Sequence, residues 1–276
     1  MISDLFDLGA KAFILRSLDD RKEQAKPIIF LHVAKTAGSS FREELAERFQ
    51  PSENVFVDFS KIELPMDGEK YASILNGNLQ ELNDRRMARC RMVSGHFTYS
   101  QIVAKQNLAQ GRLVTFIRHP ISRLVSFYKY HCSSAHPDNA AFEKNYPTFR
   151  HFVQDPDNTN GICRQLTPGI VSNGTDAAEW IKRNYYWVGI QENYVASVKL
   201  LFAMSGMRFS PRHSIRVSDS SYTDVDADDI RLAEQLNTVD LEMYNSLAES
   251  FSPRWEEIYR QTDYDRVFRD YLENQG

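Results

Sequence analysis

The 276-residue sequence lacks the features of secreted, membrane-spanning and general nucleic-acid-binding proteins. Its three cysteines, Cys90, Cys132 and Cys163, are odd in number and widely spaced, which fits neither a disulfide framework nor a CxxC zinc site. No run approaches the roughly 20 apolar residues that span a bilayer, and no basic segment followed by an apolar run opens the chain. A formal net charge of -4 argues against nucleic-acid binding, which needs a basic surface. We therefore expect a soluble protein in reducing, cytoplasmic conditions.

The composition is that of an ordinary globular protein, with 42% hydrophobic and 25% charged residues. The length is near the upper size for one core, so we predict a single domain over residues 1–276. Its expected parts are an N-terminal helix at 1–26, an α/β core at 27–205 with an insertion at 131–174, and a mainly helical part at 206–276. The N-terminal stretch has an apolar face that could lie on a membrane surface, but its aspartates favour docking on the protein itself or on a partner subunit.

Residues 27–42, PIIFLHVAKTAGSSFR, form the most informative stretch. An apolar strand leads into a loop of Lys, Thr, Gly and Ser, and then into a helix predicted to begin near Ser39. Backbone N–H groups at a helix N-terminus, together with a lysine, favour a phosphate or sulfate. The spacing is not that of a Walker A motif, because Lys35 precedes the only loop glycine, Gly38. The alternative is a plain strand-to-helix turn with an N-capping serine.

Short apolar segments alternate with helical patterns along the rest of the chain, which predicts a parallel sheet with helices on both faces. Further strands are predicted at residues 54–59, 90–97, 112–117 and 185–190, with 214–219 as an additional candidate. Helices are predicted at residues 69–87, from 120 onward, and at 148–154, 176–184, 193–203, 226–235, 239–250 and 253–272. The predicted fold class is α/β, a P-loop-like central parallel sheet flanked by helices with a helical C-terminal extension.

A second anion signal follows the strand at 112–117. Arg118 lies in the strand-to-helix turn, and Ser126 lies on the helix that Pro120 begins. A guanidinium and a hydroxyl suit a phosphate, although either residue alone is more often a solvated surface group. Together with the loop at Lys35 they predict a ligand that carries two separate anionic groups.

Four segments resemble one family. HVAKTAGSSF resembles the 5′-phosphosulfate-binding loop of carbohydrate sulfotransferases of the heparan sulfate 2-O-sulfotransferase type, and FIRHPISRLVSFY resembles their 3′-phosphate-binding motif. VSGHF looks like the family's Gly-His segment, which carries the catalytic base, and YYWVGIQENYVASVKLL is similar to a strand and helix found late in the family. The resemblance spans about residues 28–201 in ordered blocks.

The resemblance implies 3′-phosphoadenosine 5′-phosphosulfate (PAPS) as the donor, adenosine 3′,5′-bisphosphate (PAP) as the product, and no required metal. It implies that the 5′-phosphosulfate is held by Lys35, Thr36, Ala37, Gly38, Ser39 and Ser40, and the 3′-phosphate by Arg118 and Ser126. Ala37 stands where the family commonly has a second glycine or a serine, and its small side chain should still permit close backbone approach. Arg164 is a weaker candidate, because an Arg-Gln pair in a similar insertion of the family lies near the donor or acceptor.

Transfer to a hydroxyl requires a base, and histidine's reference pKa of about 6.5 suits that role. His96 is the candidate that the resemblance favours, and His32 and His119 are rivals because they lie in the two phosphate-binding turns. Lys35 is expected to stabilise the charge that develops on the leaving phosphate.

The predicted activity is therefore sulfonate transfer to a hydroxyl, on a glycan by resemblance, although a lipid or small-molecule alcohol would use the same groups. The alternatives are a P-loop nucleotide kinase-like phosphotransferase and a catalytically inactive sulfotransferase-like binding module. Neither a Walker lysine nor an evident magnesium-binding acidic residue favours the kinase. The lack of a membrane anchor, unlike the Golgi-resident relatives, suggests a bacterial source or a shortened chain.

Overall fold

A computed structural model of the chain describes residues 25–82, 86, 89–169, 172–205 and 225–251. These residues contain one sheet, whose strands in chain order are β1 (Ile28–Leu31), β2 (Ser52–Val55), β3 (Met92–Gly95), β4 (Arg112–Ile117) and β5 (Trp187–Ile190). The strands lie in the order β2-β3-β1-β4-β5, and every neighbouring pair is parallel. The predicted central parallel sheet is confirmed.

Helices connect the strands and continue beyond the last one. In chain order they are α1 (Gly38–Arg48), α2 (Gly68–Glu81), α3 (Tyr99–Val103), α4 (Gln106–Ala109), α5 (Pro120–Cys132), α6 (Asn139–Asn145), α7 (Phe149–Gln154), α8 (Gly161–Leu166), α9 (Gly174–Asn184), α10 (Tyr194–Met204), α11 (Ala227–Leu236) and α12 (Thr238–Phe251). Single turns of 3-10 helix occur at Phe59–Lys61, Pro156–Asn158 and Gln191–Asn193. Within the described segments, none of these helices is both long enough and apolar enough to cross a bilayer.

The central strand β1 separates two apolar layers, because successive residues of a strand point to opposite faces. Ile28 and Phe30 pack into the layer that contains α1 and α10. Ile29 and Leu31 pack into the layer that contains α2, α8, α9 and α12. All four side chains are fully buried. Burial on both faces explains why the strand is a continuous apolar run instead of an alternating one.

The second strand is shorter and earlier than the predicted span of 54–59. It ends at Val55, which is aligned with Gly95 of β3, and the side chain of the next residue, Phe56, is 51% exposed. The chain then turns, because the Asp58 carboxylate accepts a hydrogen bond from the Ser60 N–H and starts a 3-10 turn. Local side-chain hydrogen bonding of this kind competes with strand pairing.

The insertion at 131–174 is more helical than its composition predicts. The helix predicted there, at 148–154, is present as α7, and α6, α8 and a 3-10 turn, which were not predicted, accompany it. Packing among aromatic side chains explains the difference, since short helices depend on tertiary contacts. These side chains are Phe127, Tyr128, Phe142, Tyr146, Phe149 and Phe152.

The helical C-terminal region is present as α11 and α12, close to the predicted spans of 226–235 and 239–250. α11 packs against α7, and α12 packs against α8 and α9. The predicted strand at 214–219, the last helix at 253–272 and nearly all of the N-terminal helix at 1–26 lie outside the described residues.

Candidate active site

The chain segments that follow β1, β3 and β4 leave the sheet where the carboxyl ends of the strands lie, which is called the sheet edge below. Leu31 is aligned with Gly95 on one side and with Thr115 on the other, so the three parallel strands end close together. The segment after β1, residues 32–37, is called the β1 loop below, and residues 96–98 are called the β3 turn. Because ligands bind at the carboxyl ends of strands in open α/β sheets, this edge is the candidate site.

The β1 loop is curled by two residues in the left-handed region, Lys35 (φ 68°) and Ala37 (φ 61°). Within it, the buried Thr36 hydroxyl donates a hydrogen bond of 2.7 Å to the Val33 carbonyl oxygen. The Thr36 side chain therefore stabilises the shape of the loop. If Thr36 contacts an anion, the contacting group is its backbone N–H. Left-handed non-glycine residues are costly and are concentrated at functional sites.

Helix α1 begins at Gly38, with Ala37 in the N-cap position and no side-chain cap. The predicted start near Ser39 is thus one residue late, and the alternative of an N-capping serine is wrong. The first hydrogen bond of the helix is donated by the Phe41 N–H to the Ala37 carbonyl oxygen, at 3.2 Å. The N–H groups of Gly38, Ser39 and Ser40 precede it and have no acceptor within the helix. Backbone N–H groups in this arrangement are able to bind an anion.

Gly38 is required by packing, not by its backbone angle. A Cβ atom built on it would lie 2.0 Å from both Cδ2 and Nε2 of His32. His32 is itself buried between the rings of Phe30 and His96, with centroid separations of 5.3 and 4.2 Å. The first turn of α1 therefore packs directly on the ring of His32, the residue that follows β1.

Two cations lie beside the β1 loop. The Lys35 Nζ lies 4.0 Å from the centroid of the Tyr130 ring on α5, a cation–π distance. Burial, and secondarily the nearby Arg118, lower the pKa of Lys35. Arg118 is 5% exposed, and its Nη1 donates a hydrogen bond of 3.4 Å to the Lys35 carbonyl oxygen. The structure thus brings Lys35 and Arg118 together, while Ser126 lies half-buried two turns along α5.

His96 begins the β3 turn and stacks on His32, with an interplanar angle of 27°. Its Nδ1 lies 2.9 Å from the His32 carbonyl oxygen. Because a carbonyl can only accept, we assign the proton of the neutral ring to Nδ1, which leaves a lone pair on Nε2. Burial lowers the pKa of His96; the hydrogen bond to His32 opposes that shift, and Arg42 adds to it. A neutral imidazole with a free Nε2 lone pair can act as a base.

The sulfotransferase family model matches residues 21–246. The chain belongs to the sulfotransferase family. Among solved structures, the chain is similar to mouse sulfotransferase SULT7A1 complexed with PAP, at 17% identity over 89% of each chain with a TM-score of 0.34. No curated protein matches the chain.

The two rival histidines of this sulfotransferase are less suited to proton transfer. Burial first, and the neighbouring His96 second, lower the pKa of His32 well below its ordinary value, and its ring is enclosed by its neighbours. His119 faces Tyr244 on α12, with ring centroids 5.4 Å apart. Its Nδ1 is buried and finds no hydrogen-bond partner among the described residues. Both rings pack against aromatic neighbours beside the site.

Two neighbours on α8 contact different parts of the structure. Arg164 is exposed, and its guanidinium contacts Asp157 through a hydrogen bond to the carbonyl oxygen and a 4.0 Å ion pair. Gln165 instead donates from Nε2 to the carbonyl oxygens of His32 and Phe97, at 3.1 and 3.2 Å. Sequence reasoning missed Gln165 as a site residue; its place in an Arg-Gln pair was the one signal that pointed to it.

Proposed function

We propose that this sulfotransferase transfers the sulfonate of PAPS to an acceptor hydroxyl, with His96 as the general base. The observation that carries the proposal is the contact between the two anion-binding segments. Arg118 lies against the carbonyl of Lys35, so a backbone anion site and a buried guanidinium adjoin at one sheet edge. A donor with two anionic groups suits this arrangement, and a triphosphate suits it less because Lys35 precedes Gly38 and so does not have the Walker position.

The donor would place its 5′-phosphosulfate on the β1 loop and the start of α1. The contacting residues would be Lys35, Thr36, Ala37, Gly38, Ser39 and Ser40. The 3′-phosphate would receive bidentate hydrogen bonds from Arg118 and a further one from Ser126. Arg164 is proposed to reach the donor only if it leaves Asp157, so its contribution should be the smallest of the set.

The chemistry divides between a base and a cation. His96 accepts the acceptor's hydroxyl proton at Nε2 while the oxygen forms a bond to sulfur. The bond between sulfur and the bridging phosphate oxygen breaks, and its electron pair leaves with PAP. Lys35 stabilises the charge that develops on that oxygen, as cations do in phosphoryl transfer. Rotation of the Lys35 side chain away from Tyr130 would bring the ammonium to the donor.

The acceptor is proposed to be a glycan hydroxyl, which rests on the resemblance of the donor motifs to carbohydrate sulfotransferases. A lipid or small-molecule alcohol would present the same reacting group. Acceptor identity therefore has to be decided by transfer assays instead of by the geometry of the base.

Calorimetry and a transfer assay test the proposal. The full chain is titrated with PAP and, separately, with ATP and magnesium, and labelled sulfonate transfer from PAPS is measured with glycans, lipids and phenols. We expect PAP to bind at least tenfold more tightly than ATP, and one acceptor class to be labelled. Tighter binding of ATP would indicate a phosphotransferase, and PAP binding without transfer to any acceptor would indicate a binding module.

A further inference from the structure

We propose that Gln165 is a positioning residue for His96, held in place by the C-terminal helices through Asn237 and Asp240. The inference deepens the proposed function and rests on His96 being its base. Gln165 is on α8, in the insertion, and the two anchoring residues are at the start of α12 or just before it. Hydrogen bonds connect Gln165 to the backbone around His96 and connect α8 to Asn237 and Asp240.

The first link is the Gln165 amide, which straddles His96. Its Nε2 donates to the carbonyl of Phe97, the residue after His96, and to the carbonyl of His32, across the edge between β1 and β3. The same His32 carbonyl accepts the Nδ1–H of His96. One carbonyl thus receives two hydrogen bonds, and the amide ties together the two backbone segments that determine where His96 lies. An amide NH₂ group supplies both donors without adding a charge.

The second link is the attachment of α8 to the C-terminal helices. The Asp240 carboxylate accepts the N–H groups of Ile162 and Cys163, at 3.0 and 2.7 Å. The Asn237 side chain accepts the N–H of Asn160, at 2.8 Å. Asn237 and Asp240 are each 1% exposed. These bonds satisfy three backbone amides at the start of α8, so the helix that carries Gln165 is held by residues about 80 positions away.

The far end of α8 is also fixed. The buried Tyr185 hydroxyl donates to the Leu166 carbonyl oxygen at 2.8 Å, directly after Gln165 in sequence. The side chains of Ile162 and Leu166 are fully buried in the layer beneath the sheet. With both ends held, the amide reaches its carbonyls without the entropy cost of ordering a mobile loop. A group positioned in advance is the condition for efficient proton transfer.

The pKa of His96 provides a measurable quantity for testing the role of Gln165. The titratable groups that face His96 are His32, stacked on its ring, and Arg42 from α1. Gln165→Glu would remove both donated hydrogen bonds, because a carboxylate only accepts, and would bring a negative charge near the ring, which favours the imidazolium. Gln165→Leu would remove both hydrogen bonds while adding no charge. The matched controls are Gln154→Glu and Gln154→Leu at an exposed position on α7.

Kinetics of the full chain provide the first test. In Gln165→Leu we expect kcat to fall about 10- to 100-fold, the range for lost support of a functional side chain, with PAP affinity within about twofold. In Gln165→Glu we expect the acidic limb of the kcat/KM profile to move up by about one pH unit. The Gln154 variants should change neither quantity. An equal loss of kcat and PAP affinity, with an unmoved acidic limb, would indicate general structural damage and overturn the proposal.

Nuclear magnetic resonance of the side-chain nitrogens separates this proposal from the proposed function. The His96 signals are assigned by their loss in His96→Gln, and the tautomer and pKa are then followed in each Gln165 variant. We expect the Nδ1–H tautomer in the parent protein, a mixture in Gln165→Leu and a raised pKa in Gln165→Glu. If the parent transfers no sulfonate, the proposed function fails while these signals still decide the role of Gln165. Unchanged His96 signals in both variants would overturn it.

Discussion

The β1 loop and the β3 turn leave the same edge of the sheet, but they differ in whether side chains cap the helix that follows. After β3, Thr98 and Gln101 form a reciprocal capping box, so the start of α3 is satisfied by the protein's own side chains. After β1, the start of α1 has no side-chain cap. Two strand-to-helix turns in equivalent positions thus differ in whether their N–H groups are occupied. The open one is suited to a ligand, and the closed one to holding a side chain still.

The two segments also differ in charge. The β1 loop has the ammonium of Lys35 and the guanidinium of Arg118 beside it. The β3 turn keeps His96 neutral, because burial lowers its pKa and no described carboxylate opposes that effect. On the proposed function, the β1 loop binds the anionic groups of the donor and the β3 turn supplies the proton acceptor. Substitutions in each segment should therefore affect different measured quantities.

The largest effect is expected from His96→Ala. Removal of the base should lower kcat about 10³-fold, within the range for a lost general base. PAP affinity should stay within a few fold, since the β1 loop is unchanged. Single-turnover transfer and PAP calorimetry measure the two quantities. His151→Ala on α7, an exposed histidine, is the control, and retained turnover in His96→Ala would remove His96 from the mechanism.

The next largest effect is expected from Lys35→Met, which removes the charge from the other segment. Loss of one preorganised cation should lower kcat about 10²-fold, because the leaving oxygen is no longer stabilised. Methionine retains a Cβ, so the left-handed backbone at this position stays under the same constraint. PAP affinity should fall less than kcat, whereas an equal fall would mean that Lys35 serves binding alone. Lys61→Met, at an exposed surface position, serves as the control.

Some features of the fold and of the two segments could be predicted from the sequence, and others could not. Strands β1, β3, β4 and β5 were predictable because buried parallel strands are continuous apolar runs, whereas β2, with the polar sequence SENV, was misplaced by the prediction. The anion site at the β1 loop was predicted from its residue types, and it stays a prediction. Gln165 was not predictable from its surroundings. Its partners are backbone carbonyls 133 and 68 residues away, and a carbonyl leaves no trace in the choice of side chain. The role of Gly38 was hidden for a related reason, since it depends on where the His32 ring lies.

Gly38→Ala is expected to have the smallest effect on transfer. That effect should involve both the β1 loop and the β3 turn. The new methyl group would overlap a His32 ring that cannot move away freely, because Phe30 and His96 enclose it. We expect the free energy of unfolding to fall by about 1–3 kcal/mol, as for an overpacked core. PAP affinity and kcat should each fall about tenfold, because displacement of His32 disturbs the backbone anion site and the ring of His96 together.

Urea denaturation, PAP calorimetry and single-turnover transfer test the Gly38→Ala prediction, with Gly77→Ala as the matched control. Gly77 lies on the exposed side of α2, and a Cβ there would meet nothing within 4 Å. That control should gain up to about 1 kcal/mol of stability from the better helix propensity of alanine, with unchanged transfer. If Gly38→Ala weakens PAP binding but leaves kcat intact, the two segments are independent. If it lowers both, the His32 ring couples donor binding to the placement of the base.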